Sequence, residues 1–297
     1  MFTVDNGRAS VGTLTGPAAR YLLERRSRQE ITRDTAIGVS YVLRSLDASY
    51  GDRALRMFGP AAIERWLDAH PAWKASTRAA NLTTVRMFCR WMRRRKLITV
   101  DPFLDIVVPR RPRPNPQALS RDDIGRLLAA APDTRGRLIV WLQFGLGLRC
   151  IGCANLRVED VDLADRTLTV VEKYGNERRL PMTNDVLRAM DLYLFDHPAT
   201  SGPLLRSVRD GYSPISAAYV GKLVAGWMLA AGVKRRAYDG RSAHALRRTA
   251  LTEVAEATGD AFIVQELAGW ASPATAAYYV RRASTERVRA ALERRPS

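Results

Sequence analysis

Apolar residues recur along most of this chain at helical spacing, and one short stretch alternates as strands do. Pro17 opens a first helix with Ala18, Tyr21 and Leu22 on one face. A longer one runs from about Thr32 to Ser45, with Ile37, Tyr41, Leu43 and Leu46 apolar. Pro60 to Leu67 gives a third, with Ile63 and Leu67 one turn apart. Ser76 is expected to cap a fourth, along which Ala80, Val85, Phe88 and Trp91 recur. Trp66, Trp73 and Trp91 fit a core better than a base-stacking platform. These helices predict an all-helical unit over 17–106, after a loose 1–16.

The pattern changes at Pro102, and Pro109 to Pro116 reads as a stiff, extended, basic linker within 107–117. A second unit over 118–283 opens at Ser120, with Asp123 placed to complete a capping box. A strongly apolar helix covers about Leu138 to Leu146, and Gly147 breaks it, setting Arg149 at the following turn. Thr167 to Val171 and Arg178 to Met182 read as strands. With Tyr174-Gly175-Asn176 at their turn, Lys173 sits on a hairpin. Helices follow from about Asp185 to Phe195 and Ser216 to Ala231, with Tyr212, Tyr219 and Trp227 expected to pack. Ser272 and Pro273 start another, and Val288 and Leu292 mark a short amphipathic helix in the tail 284–297. The fold class expected is mostly α with a small β-hairpin, in two domains.

Charge sharpens the picture. Forty-seven Lys and Arg against 30 Asp and Glu leave +17, which points to a polyanionic partner, nucleic acid first. No segment is long and apolar enough to span a bilayer, and the N-terminus lacks the pattern of a signal peptide. Arg93-Arg94-Arg95-Lys96, the linker residues Arg110, Arg111 and Arg113, and Lys234-Arg235-Arg236 are candidate phosphate contacts. A solvated face is the alternative for the first run. Cys150-x-x-Cys153 has no second Cys pair and no nearby His pair, so two small buried thiols are expected, which fits a reducing cytoplasm.

The candidate chemistry lies between His244 and Tyr279. His244 and Arg247, three apart, share a helix face. With Trp270 and Tyr279 they supply an imidazole, a cationic fork, an indole N–H and a phenol. That set suits gripping a phosphodiester and attacking it with an aromatic hydroxyl, and no carboxylate cluster calls for a metal. Alone, His-x-x-Arg is a weak signal.

Together with Gly147-Leu148-Arg149 and Lys173 upstream, in this order, the chain resembles the tyrosine recombinase (phage integrase) family, most strongly from Leu119 to Val280. The resemblance implies a C-shaped clamp, with a helical, SAM-like core-binding domain opposite a mixed α+β catalytic domain. It implies Tyr279 as nucleophile, Arg149 and Arg247 on the phosphate, His244 to accept or relay the tyrosine proton or to donate to phosphate, Lys173 as general acid and Trp270 as donor. The reaction implied is cleavage of one DNA strand to a 3′-phosphotyrosyl enzyme and attack by a partner strand, with no cofactor or ATP. Four protomers, monomeric when free, act on synapsed core sites, the C-terminal segment docking on a neighbour and a directionality factor possible as a further partner. The cellular setting is phage or mobile-element DNA in a bacterial cytoplasm. Sixteen residues before the first helix are too few for an arm-binding domain, so a short form is expected.

Two positions depart from the pattern. Gly152 stands where the family has a carboxylate, and Trp270 where many members have His. A type IB topoisomerase would share the chemistry, and a noncatalytic DNA-binding regulator would share the charge.

Overall fold

In a computed structural model, the described residues are 14–109, 118–171, 177–235, 239, 241–280 and 292–293. The chain divides into two compact units, Met1–Pro114 and Asn115–Ser297. Lys173 and its turn, Arg110, Arg111, Arg113, Arg236 and Val288 lie outside the described residues.

The first unit packs four helices: α1 (Thr15–Ser27), α2 (Arg33–Tyr50), α3 (Pro60–Asp68) and α4 (Ala75–Arg94). Thr32 caps α2 by accepting the Thr35 N–H, and Pro60 supplies the first residue of α3. Tyr21, Leu43, Leu46, Phe58, Ile63, Trp66, Leu82 and Phe88 fill one core. Trp66 and Trp91 belong to it, and each indole has a partner. Trp66 Nε1 donates to Ser45 Oγ at 3.0 Å, and Trp91 Nε1 to Glu24 Oε2 at 2.9 Å. Trp73 meets Trp66 edge-on at 5.0 Å.

Two local readings need correction. The buried stripe of α2 is Ala36, Ser40, Leu43, Leu46 and Tyr50, so Ile37 and Tyr41 face outward. Small Ala36 and Ser40 let neighbouring helices approach that side, and the exposed Tyr41 ring carries the Arg44 guanidinium 4.8 Å away. In α4, Lys74 takes the N-cap position, and Ser76 lies inside the first turn.

The second unit begins with α5 (Arg121–Ala130) and α6 (Thr134–Phe144). Ser120 and Asp123 form the expected capping box, at 3.0 and 3.1 Å. Buried residues surround α6 on all sides, from Leu138 and Ile139 to Gln143, because α8 (Asn184–Asp196) and α10 (Ala243–Thr258) both pack on it. Next come α7 (Cys150–Asn155) and an antiparallel sheet of β1 (Val161–Asp162), β2 (Thr167–Val171) and β3 (Glu177–Pro181), in that spatial order. Leu168 pairs with Leu180, and both point inward with Val170. The remaining helices are α9 (Ala217–Ala230), α11 (Ala261–Ala268) and α12 (Pro273–Val280).

The sequence reading missed β1 and α11. β1, two residues long, is too short to show a period. α11 carries Phe262 and Ile263 on its exposed side, which blurs its apolar stripe. Tyr212 and Tyr219, both expected to pack, are exposed, Tyr212 at 72% in an irregular loop and Tyr219 on the outer face of α9, while Trp227 is buried as expected. The mostly helical fold with a small antiparallel sheet agrees with the class expected.

Candidate active site

Gly147 ends the α6 segment in a left-handed turn at φ +62, and two residues later Arg149 becomes the N-cap of α7. Arg247 reaches this turn from one hundred residues away. It is only 5% exposed, and its Nη1 donates to the Gly147 carbonyl. Its Nη2 donates to the Ala268 carbonyl at 2.6 Å. The guanidinium thereby fastens the Arg149 turn to the C-terminal end of α11 and lies 5.8 Å from the Trp270 ring centre. A cation at a helix C-terminus is stabilised by the carbonyls there.

The end of α11 is held on every side. Gly269 caps it at φ +61, where a side chain would be strained. Trp270 N–H donates to the Gln265 carbonyl at 3.2 Å, and Gln265 Nε2 donates back to the Trp270 carbonyl at 3.0 Å. The Trp270 ring then meets the Tyr279 ring at 5.6 Å, tilted by 35°. Pro273 starts α12, and Ser272 Oγ accepts the Ala274 N–H at 3.3 Å. Tyr279 is half-buried, whereas its neighbour Tyr278 is exposed and meets it edge-on.

The electrostatics separate the titratable groups. Burial raises the Tyr279 phenol above its ordinary value, and Arg248 and then Arg247 act against that rise. The phenol is therefore neutral at physiological pH. His244, in the first turn of α10, keeps an edge open to solvent. Desolvation of its ring, then the charges of Arg247, Arg149 and Arg248, hold its pKa below the usual imidazole value. A neutral imidazole able to accept a proton results.

The fold thus gathers Arg149, His244, Arg247, Trp270 and Tyr279; the sixth candidate, Lys173, lies outside the described residues. Arg248 was not singled out from the sequence. It stands half-buried near Tyr279 and Tyr278; burial lowers its pKa, and the two phenols would act against that only when ionised. An arginine next to Arg247 carries no periodic signal that would distinguish it. At Gly152 a Cβ would meet only the Leu148 Cβ, at an ordinary contact distance of 3.8 Å, so the backbone there does not demand glycine.

Cys153 is buried and Cys150 half-buried; desolvation raises both thiols, which leaves them protonated and inert. Among the described residues no cluster of His, Cys, Asp and Glu could hold a metal ion, and no helix is long and apolar enough to cross a membrane.

The basic candidates are placed unevenly. Arg93 pairs with Asp101 at 2.9 Å and Arg95 with Glu24 at 2.7 Å. Arg94 lines an open groove with Arg90, Arg93 and Lys96. Lys234 Nζ donates to the Arg241 carbonyl at 3.0 Å, which holds the loop before α10, while Arg235 is exposed.

Known proteins are similar to this chain in sequence and fold. The phage integrase family model matches residues 117–286. Tyrosine recombinase XerC of Mycobacterium tuberculosis is 31% identical over 269 residues, covering 85% of this chain and 89% of its own. Lambda integrase, solved as a dimer bound to a COC′ core site, is similar at a TM-score of 0.75 and 20% identity, covering 89% of this chain and 97% of that one. Its tetramer bound to a Holliday junction gives 0.75 and 20%, covering 91% and 78%. The structural likeness bears on fold, and the family match with the sequence identity settles membership: the chain belongs to the phage integrase family and is a tyrosine recombinase.

Proposed function

We propose that this recombinase cleaves one strand of duplex DNA at a core site by attack of Tyr279 Oη on the scissile phosphorus. The bond formed is a 3′-phosphotyrosine, and the bond broken is that to the 5′ oxygen. Attack by the 5′ hydroxyl of a partner strand reverses the step and conserves the bond energy. Arg149 and Arg247 stabilise charge on the nonbridging oxygens. Trp270 Nε1 is a further donor. His244, held neutral, accepts the phenolic proton, which a raised pKa keeps on Tyr279 until attack. Lys173 protonates the departing 5′ oxygen.

The observation carrying this reading is the clasp made by Arg247. One buried guanidinium fixes the turn of Arg149 and the helix end that leads to Trp270 and Tyr279. A noncatalytic DNA-binding regulator would need no such convergence. The +17 charge supports a DNA partner. Within the first unit the Arg90–Arg94 groove, lined also by Arg93 and Lys96 and with Arg95 adjacent in sequence, is the proposed backbone contact. Arg110, Arg111, Arg113, Lys234, Arg235 and Arg236 are further proposed phosphate contacts. A tetramer on synapsed sites follows the lambda integrase precedent.

Integration and excision of phage or mobile-element DNA is the proposed setting. The 31% identity to XerC favours a second one, recombination at a chromosomal site. Sequencing recombinant junctions in cells separates them: an element end joined to a new target supports the first, and recombination between two copies of one chromosomal site supports the second.

The chemistry is tested with a nicked suicide DNA site. The parent protein and Tyr278→Phe should form a covalent adduct, and Tyr279→Phe should form none while still binding the site. An undiminished adduct in Tyr279→Phe would reject the assignment. Relaxation of supercoiled DNA that lacks cognate sites would favour topoisomerase activity.

A further inference from the structure

The hairpin strand β3 carries an arginine that the reading above does not use. Arg178 pairs across the sheet with Val170, one rung inside the terminal pair, Val171 with Glu177. Its side chain turns away from the sheet to the end of α11. There Nη1 donates to the Glu266 carbonyl at 3.1 Å and to the Leu267 carbonyl. The next carbonyl, Ala268, accepts Arg247. The last turn of one helix is therefore gripped by two arginines, one from the buried face of α10 and one from the hairpin. Arg179, its neighbour, points the other way and pairs with Asp162 and Asp165, both at 2.9 Å, at the β1 side of the sheet.

We infer that Arg178 is a positioning residue for the hairpin, registering it against the Arg247–Trp270–Tyr279 frame. Arg178 follows Lys173 by five residues. Two donor bonds to carbonyls of a capped helix end are directional, so they fix the strand along its length as well as laterally. An apolar residue at this place could cover the helix end but could not set that register, and it would leave the carbonyls of Glu266 and Leu267 without this donor. The inference rests on the proposal that Lys173 is the general acid. A general acid must stand within hydrogen-bond reach of its leaving group, so loosening β3, which follows Lys173 in sequence, slows proton donation more than phosphorus attack.

The test compares ordinary suicide DNA with DNA carrying a 5′-bridging sulfur, using the full chain. Sulfur leaves as a thiolate and needs no proton. Arg178→Ala should cleave ordinary DNA at least about tenfold more slowly, a part of the hundredfold or more that a general acid contributes. On the sulfur substrate it should come within about threefold of the parent, on the same scale. Arg178→Lys, whose ammonium can still reach the carbonyls, should recover much of the rate on ordinary DNA. If Arg178→Ala does not fold, Arg178→Gln keeps the stem and one donor and is read in the same way. Equal defects on both substrates, or no defect on either, would overturn the inference. Lys173→Ala is measured alongside. If its own defect is not relieved by sulfur, the reading of Lys173 fails instead, and the two failures are distinguishable.

Discussion

Replacing Arg247 should cost stability as well as activity, which distinguishes it from the other candidate residues. Arg247→Ala removes the donors that Gly147 and Ala268 carbonyls receive in a buried setting. Each buried acceptor left unsatisfied costs about 1–3 kcal/mol. Loss of the cation near the Trp270 ring adds about 0.5–2 kcal/mol. Part of this is recovered, because a charge no longer has to be kept out of water. A net loss of about 2–5 kcal/mol is expected from those ranges. In a unit of this size that lowers Tm by about 4–20 °C. Arg247→Lys should fall between, since one ammonium lacks the fork that spans the two carbonyls. Tyr279→Phe removes a hydroxyl at a half-buried position and should stay within about 0.5 kcal/mol of the parent. Differential scanning calorimetry of the full chain measures all three. An Arg247→Ala protein that melts with the parent would show that the guanidinium does not hold the site together.

Further outcomes follow from the same geometry. Gly147→Ala places a side chain at φ +62, where its Cβ meets Leu251, Ala250 and Leu267 at ordinary distances of 3.7 to 3.9 Å. The cost is therefore backbone strain of about 1–2 kcal/mol, read by urea denaturation, and adduct yield should drop because Arg149 follows two residues later. His244 has a lowered pKa, so its neutral form persists as pH falls to its ordinary value. Free-enzyme cleavage rates, measured as kcat/KM, should accordingly keep an acid limb below about pH 6.5, and His244→Ala should lose that limb. A parent limb well above that value would contradict the role. Gly152→Asp, whose Cβ meets only the Leu148 Cβ at an ordinary 3.8 Å, should fold like the parent in a thermal melt, and a large drop in Tm would show hidden crowding there.

The sequence by itself determined the elements and their punctuation. Ser120 with Asp123 is a capping box in the sequence and in the fold, because capping is settled within four residues. Pro60 and Pro273 open helices for the same local reason. The alternation from Thr167 to Val171 placed β2, since strand burial repeats every second residue. The order of Arg149, His244, Arg247, Trp270 and Tyr279 carried the family resemblance before any packing was known. Tertiary structure decided what periodicity cannot express. It turned Ile37 and Tyr41 outward, because small Ala36 and Ser40 fixed which side of α2 packs. His244 and Arg247 share a helix face in the sequence, yet His244 is exposed and Arg247 is buried. Arg248 and Arg178 had no local signature. What each meets was set by packing: the phenols on α12 for Arg248 and the carbonyls ending α11 for Arg178. Contacts between residues one hundred apart in sequence, such as Arg247 with Gly147, are chosen by the packing of α10 against α6, and no short window of residues contains that information.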